Sequence, residues 1–264
     1  MENIEQLIDA LHLEDLKNPL HPSIFDEDEG YNMLILRLPN IQNELETTSY
    51  GFILTHEHSY FYNRDEGKFQ KLDTLFEGPH KFMDKPADKL LKSFGKFQDL
   101  AVTMEETLYE DTTTGDFMQQ WLTLKRDILH IERVLLRASS ALSQFIEFYD
   151  KNDAFPMNHY VDLHEHIDRT MRAANTQLTK LDYLYNFYNA RTNERMNRLI
   201  YFLTIISAIF LPLNLVVGFF GMNTSGLPFA TGTSGTLNAI ALMLSLMTVT
   251  SIVVYIWHRK TGKS

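Results

Sequence analysis

"LIYFLTIISAIFLPLNLVVGFFGMN", Leu199 to Asn223, carries no acidic or basic side chain and closes on a Gly-Met-Asn triplet. An apolar run of about 20 residues is long enough to cross the ~30 Å hydrocarbon layer of a bilayer. A second run, "LNAIALMLSLMTVTSIVVYIW" from Leu237 to Trp257, follows after a short turn that is also free of charge. The alternative is a pair of buried core helices, but two such runs in succession leave no face for water. The reading is therefore two membrane spans, 199–220 and 237–257, joined by a loop at 221–236.

Charge orients the hairpin. Lys180, Arg191, Arg195 and Arg198 precede the first span, Arg259, Lys260 and Lys263 follow the second, and the loop between them has none. By the positive-inside rule both ends of the hairpin are cytoplasmic and the loop faces out. All 34 acidic residues, and all but three of the 24 basic ones, precede Leu199. So acidic a portion disfavours nucleic acid, whose phosphates call for Lys and Arg, and suits cations. The sequence has no cysteine, which excludes disulfides and thiolate chemistry. "MENIEQLIDALHLEDL" has neither the basic flank nor the apolar core of a signal peptide, so residues 1–198 are expected in the cytoplasm.

Within that portion an amphipathic helix is expected at about residues 2–16, followed by a turn-rich acidic stretch in which "DEDE", Asp26 to Glu29, reads as a solvated loop, with weak cation attraction as the alternative. Met33–Leu38, Ser49–His56 and Ser59–Asn63 are short, aromatic or β-branched, and read as strands. Past Pro79 the apolar spacing changes to three and four, as in helices, with Glu105, Glu106, Glu110 and Asp111 on an exposed face. "KNDAFPMN" breaks the pattern, and a helix then runs from His159 to Leu211 without Gly or Pro, a stalk of roughly 80 Å. The expected fold class is an α/β cytoplasmic domain with a helical arm (1–157), a stalk helix (158–198), the two spans with their loop, and a basic tail (258–264).

A single hairpin cannot enclose an ion path, so a pore requires several chains to set one helix face around an axis. The heptad-spaced face of the first span is Asn197, Ile200, Thr204, Ser207, Leu211, Asn214, Gly218 and Gly221, small or neutral polar apart from Ile200 and Leu211. An ordinary small-residue helix interface is the competing reading. Asn197 and Asn214 weigh against it, because an amide facing lipid is costly. Asn223, just past the span, would form a ring of amide oxygens at the outer mouth when several chains meet. Such a ring suits a cation that keeps its water, as magnesium does. Gly218 and Gly221 allow close backbone approach there, and Pro228 stiffens the exit.

Other clusters are weaker. "HLEDL", "THEHSY" and "DLHEH" mix histidine with carboxylates, but none has the HExxH spacing, and His164 and His166 fall on different helix faces. There is no Gly-rich phosphate loop to support ATP-driven pumping.

With the Gly-Met-Asn triplet placed after the first of two C-terminal spans, the sequence resembles the CorA family of divalent-cation transporters. The likeness runs from "FLTIISAIFLPLNLVVGFFGMN" back through "YVDLHEHIDRTMRAANTQLTKLDYLYNFYNARTNERMNRLI", and more loosely to "PSIFDEDEGYNMLILRLP". It implies a homopentamer with a CorA-like funnel and a selectivity filter at Gly221, Met222 and Asn223. Leu203 joins Asn197, Ile200, Leu211, Asn214 and Gly218 at pore-lining positions. Asp162, with Glu165 beside it, matches an acidic position that binds regulatory magnesium between subunits, and Arg259, Lys260 and Lys263 match a basic ring at the cytoplasmic side.

Two departures open the question of the ion. The loop "TSGLPFATGTSGT" has no acidic residue and resembles the ZntB zinc-transporting branch, and Asn186 stands where the family often has an acidic pore residue. The expected function is transport of divalent cations (magnesium, cobalt or nickel) across the inner (plasma) membrane, with zinc transport, coupled to protons or to the ion gradient, as the alternative. No tightly bound cofactor is expected beyond divalent cations themselves; the partners are further copies of the chain and lipid. A membrane-anchored sensor or scaffold would leave the polar stripe and the triplet without a role, and an enzyme is the least favoured class.

Overall fold

The computed structural model describes residues 4–41, 44–110, 115–222 and 234–261. The chain divides into two units, Met1–Asn186 and Phe187–Ser264, and the boundary falls inside one long helix.

The first unit is built on a five-stranded antiparallel meander in the order β1-β2-β3-β4-β5. Its strands are β1 (Ile24–Asp28), β2 (Tyr31–Ile41), β3 (Leu45–Thr55), β4 (Ser59–Asn63) and β5 (Lys68–Lys71). Strands β2 and β3 pair along their whole length, from Tyr31 opposite Thr55 to Ile41 opposite Leu45. Alternation sends Tyr31, Met33 and Ile35 to one face of the sheet and Leu34, Leu36 and Leu38 to the other. Both sets are buried, so the sheet is covered on both sides.

The first face is closed by the N-terminal segment, a 3-10 turn at Ile4–Gln6 and helix α1 (Ala10–Lys17), through Ile8, Leu13 and Leu16. One uninterrupted helix from residue 2 to 16 does not form. Asp9 accepts a hydrogen bond from the Leu11 amide at 2.8 Å and so starts α1 afresh as its N-cap. Leu16 sits so close to β3 that a Cβ on Gly51 would lie 2.5 Å from its Cδ2. Only glycine allows that approach.

The acidic stretch also departs from expectation. Asp26 and Asp28 belong to β1, and two-residue spacing points both at α1, where His12 lies 3.3 Å from Asp26 and 3.5 Å from Asp28. The Tyr31 hydroxyl donates to Asp28 at 2.8 Å, accepts from the Asp9 amide at 2.9 Å and lies 2.7 Å from His12 Nδ1. That hydrogen bond, more than any other influence, holds the Asp28 carboxyl below its usual range. Burial, more than the charges around it, pushes the Tyr31 phenol up to about 12.

Behind the other face lie helices α2 (Glu77–Ser93), α3 (Gly95–Tyr109), α4 (Phe117–Tyr149) and the first part of α5 (Met157–Phe220). Buried residues recur at three and four along α3 (Phe97, Ala101, Met104, Leu108) and α4 (Trp121, Leu124, Ile128, Ile131, Leu135, Ala138, Leu142, Phe145). They continue along α5 at Tyr160, Leu163, Ile167, Thr170, Ala174, Leu181 and Leu184. This is the seven-residue repeat of packed, nearly parallel helix axes. Its far end is fastened by the Trp121 indole, which donates to the Leu181 carbonyl at 2.8 Å and stacks on Tyr185 with ring centres 4.8 Å apart. Lys125 to Asp182 and Lys180 to Glu105, both 2.6 Å, tie α4 and α3 to α5, so Glu105 is a half-buried ion-pair partner rather than part of a solvated face.

The second unit holds the remainder of α5 and helix α6 (Gly235–Thr261). Each helix contains an 18-residue window of mean hydropathy 2.3, none of it buried. Length and composition fit membrane crossing. Pro212 lies within α5 without ending it.

Candidate functional site

Along α5 the expected pore face and the half-buried residues form two separate stripes. Asn197, Ile200, Leu203, Thr204, Leu211, Asn214, Gly218 and Gly221 are exposed, with Ser207 intermediate; Tyr201, Ile205, Ile209, Leu213 and Val216 are half-buried. At about 100° per residue the two stripes lie on opposite sides of the helix. Thr204 donates its hydroxyl proton to the Ile200 carbonyl at 2.8 Å, which leaves the oxygen's lone pairs as acceptors. A Cβ added to Gly218 would meet nothing within 4 Å among the described residues, so its smallness is not used up inside the chain. Gly221 is tight, since its Cβ would lie 3.1 Å from the Val217 carbonyl oxygen.

The Gly221 amide closes the helix by donating to that carbonyl at 2.9 Å, and Met222 follows in a turn, 47% exposed. Asn223, Pro228 and Lys263 lie outside the described residues, as does most of the connecting loop. Arg259 is exposed on the last turns of α6, which also contain Lys260.

In the first unit α2 and α5 present two facing rows. Glu77, His80, Asp84 and Asp88 follow one another at three and four along α2, as His159, Asp162 and His166 do along α5. What brings the rows together is Tyr160, which is fully buried against Phe155 and Phe145 and donates its hydroxyl to the Phe76 carbonyl at 2.8 Å, one residue before α2 begins. Burial, with Glu77's charge adding to it, pushes this phenol well above its ordinary range.

Two groups result whose ligand atoms lie within 4.8 Å of one another: Glu77, His80 and His159, and Asp84, Asp162 and His166. Asp162, 62% exposed at its side chain, lies 3.7 Å from His166 Nε2. Asp88 Oδ1 approaches His166 Nδ1 to 2.9 Å, yet that buried nitrogen makes no aligned hydrogen bond. Glu165 turns instead to Arg169 at 2.6 Å. His164 points elsewhere, 3.1 Å from the Ser139 hydroxyl, so the two histidines of "DLHEH" do separate. The sequence reading found Asp162 but missed its intrachain companions. The signal available was the three-and-four spacing of His and acidic residues in both segments.

A sheet-and-helix domain followed by two helices each long and apolar enough to cross a membrane fits a membrane protein. The family model of CorA-like Mg2+ transporter proteins matches residues 1–260, and the chain belongs to this family. Divalent-cation transport is thus its class of function. YfjQ of Bacillus subtilis (strain 168) is 24% identical over 263 residues, covering 94% of this chain and 81% of that protein. The zinc transport protein ZntB of Vibrio parahaemolyticus is 23% identical over 134 residues, 51% of this chain and 42% of that one. The fold matches the CorA magnesium transporter of Methanocaldococcus jannaschii with a TM-score of 0.74 at 16% identity, over 97% of this chain and 84% of that one.

Proposed function

We propose that five copies of this chain surround one axis in the plasma membrane and pass divalent cations along α5, with both ends of the hairpin in the cytoplasm. The observation that carries this reading is the exposed stripe of Asn197, Thr204, Asn214 and Gly218, on the side of α5 opposite its half-buried residues. In hydrocarbon such groups are satisfied by facing their equivalents around an axis. Amide and hydroxyl oxygens there hydrogen-bond a cation's water shell, and Asn223 supplies the outermost ring with Gly221 and Met222 shaping the mouth. Ile200, Leu203 and Leu211 are the apolar constrictions, and Arg259, Lys260 and Lys263 form a basic collar at the cytoplasmic end.

The stripe offers no thiolate or imidazole, so magnesium, cobalt and nickel all fit and none is preferred by soft coordination. The acid-free loop at 224–236 and the relationship to a protein named for zinc transport support a second reading, zinc moved with or against protons. One experiment separates them: flux of magnesium, cobalt, nickel and zinc into proteoliposomes, with and without a pH gradient, for the wild type and Asn223→Ala. Flux of several ions independent of the gradient, abolished by the substitution in an assembled oligomer, is the expected result. Zinc flux alone, driven by the gradient, selects the second reading; full flux through Asn223→Ala ends the amide-ring mechanism.

Asp162 adds regulation. Magnesium bound there at high internal concentration holds the closed state, and an ion preferring that state must stabilise it. Asp162→Asn is expected to raise flux at high internal magnesium and to remove magnesium's protection of the cytoplasmic domain against protease. If neither changes, Asp162 serves only as a carboxylate near the positive end of α5.

A further inference from the structure

We propose that Glu77, His80 and His159 form a binding site for a borderline transition metal such as zinc, cobalt or nickel, separate from both the ion path and the Asp162 group. Two imidazoles and one carboxylate are a donor set for these metals, whereas magnesium takes oxygen ligands and keeps its water. The three ligand atoms already lie within 4.8 Å of one another, and His159 Nδ1 is 3.0 Å from Glu77 Oε1. Around a tetrahedral zinc with bonds of about 2.0–2.1 Å, ligand atoms stand roughly 3.3 Å apart, so one pair is near its bound separation and the others need only modest rotation.

The surroundings suit a site of this kind. The His80 side chain is 12% exposed, packs edge-on against Tyr160 at 5.4 Å, and has one ring nitrogen 3.1 Å from the His159 carbonyl oxygen. A backbone carbonyl in that position fixes the orientation of a metal-binding imidazole. His159, by contrast, is 55% exposed at its side chain and has room to swing onto an incoming ion, with an open fourth position left for water. Glu77 and His80 are one helical turn apart on α2, and Tyr160, next to His159, locks the start of α5 to the residue preceding α2. The rigid part of the site is therefore on α2, and α5 contributes the closing ligand. Occupancy would clamp the two helices together beside the Asp84–Asp162–His166 group, giving the cytoplasmic domain a response to transition metals that differs from its response to magnesium.

The test is cobalt and zinc binding to the full-length protein in detergent, followed by the visible d–d absorption of bound cobalt and by equilibrium dialysis with excess magnesium present. The wild type is expected to bind one equivalent that magnesium does not displace, with the strong absorption of low-coordinate cobalt bearing nitrogen ligands. His159→Gln, at an exposed position, should leave the metal-free melting temperature unchanged and lose that equivalent, a loss exceeding the roughly 10–100-fold that removing a second-shell partner costs. Glu77→Gln should weaken it, and Asp162→Asn should leave it intact. Cobalt binding that survives His159→Gln, or that vanishes with Asp162→Asn, overturns the site. Because binding is read without transport, its failure is distinct from a failure of the flux experiment.

Discussion

The two units treat the same residue types in opposite ways. In the first, Leu36, Phe52, Leu135 and Phe145 are fully buried; in the second, Leu203, Leu211 and Leu215 are 65%, 66% and 75% exposed. Both use a repeat of three and four. Along α4 the apolar positions are separated by Lys125, Arg126, Asp127, Glu132, Arg133 and Arg137, whereas along the hairpin part of α5 the polar positions are separated by Leu, Ile, Val and Phe. One repeat can serve either solvent: in water it turns an apolar stripe inward, and in hydrocarbon it would leave the apolar surface outside and gather the few polar groups.

The sharpest way to break the comparison in the first unit is Trp121→Ala. It empties a buried site, removes the indole bond to Leu181 and undoes the stack on Tyr185, for an expected cost of about 3–5 kcal/mol. Far-UV circular dichroism of the full-length protein in rising urea measures the lowered midpoint. A loss below about 1 kcal/mol would mean that α4 and α5 are not joined at this point.

Next in size is a matched pair of charge insertions. Leu215 on α5 and Leu122 on α4 are both exposed, at 75% and 57%. If hydrocarbon surrounds the former and water the latter, Leu215→Lys should cost about 2.5–3.5 kcal/mol of membrane insertion. Leu122→Lys should stay within about 0.5 kcal/mol of wild-type stability. Insertion is read as the fraction of newly made chain resistant to alkaline extraction from membrane vesicles. Equal, negligible effects at both positions would place the hairpin in water.

The smallest effect concerns alkaline stability. With its folded-state pKa near 12, above the ordinary 10.0, Tyr31 favours the fold while neutral, so its contribution is whole below pH 10 and lost as pH rises towards 12. Tyr31→Phe has no such proton to lose and should give a shallower decline of melting temperature between pH 10 and pH 12. The decline will not vanish, because Tyr50, Tyr149 and Tyr160 are raised too. An unaltered slope would remove the Tyr31 proton from the alkaline transition.

Much of this molecule was legible in contiguous sequence. The spans, the central strands and the long helix after "KNDAFPMN" all follow from hydropathy and period, which neighbouring residues set among themselves. At Asp26 to Glu29 the exposure of Glu27, Asp28 and Glu29 was legible, but strand β1 and its contacts to His12 were not, because charge is a poor guide when a partner arrives from another element. Glu105 is a similar case, since nothing near it announces Lys180.

Sequence by itself therefore determined which stretches are long and apolar enough to cross a membrane, which stripe of α5 is polar and which family the chain joins, since each depends on local order and composition. Only the tertiary structure decided that Glu77 and His80 meet His159, and that Asp84 meets Asp162 and His166. These groups come together because Tyr160 buries its ring in an aromatic cluster and spends its hydroxyl on the Phe76 carbonyl, setting the register between two helices far apart in the chain. Packing of that kind depends on the shape of the whole core, and no short stretch of sequence contains it.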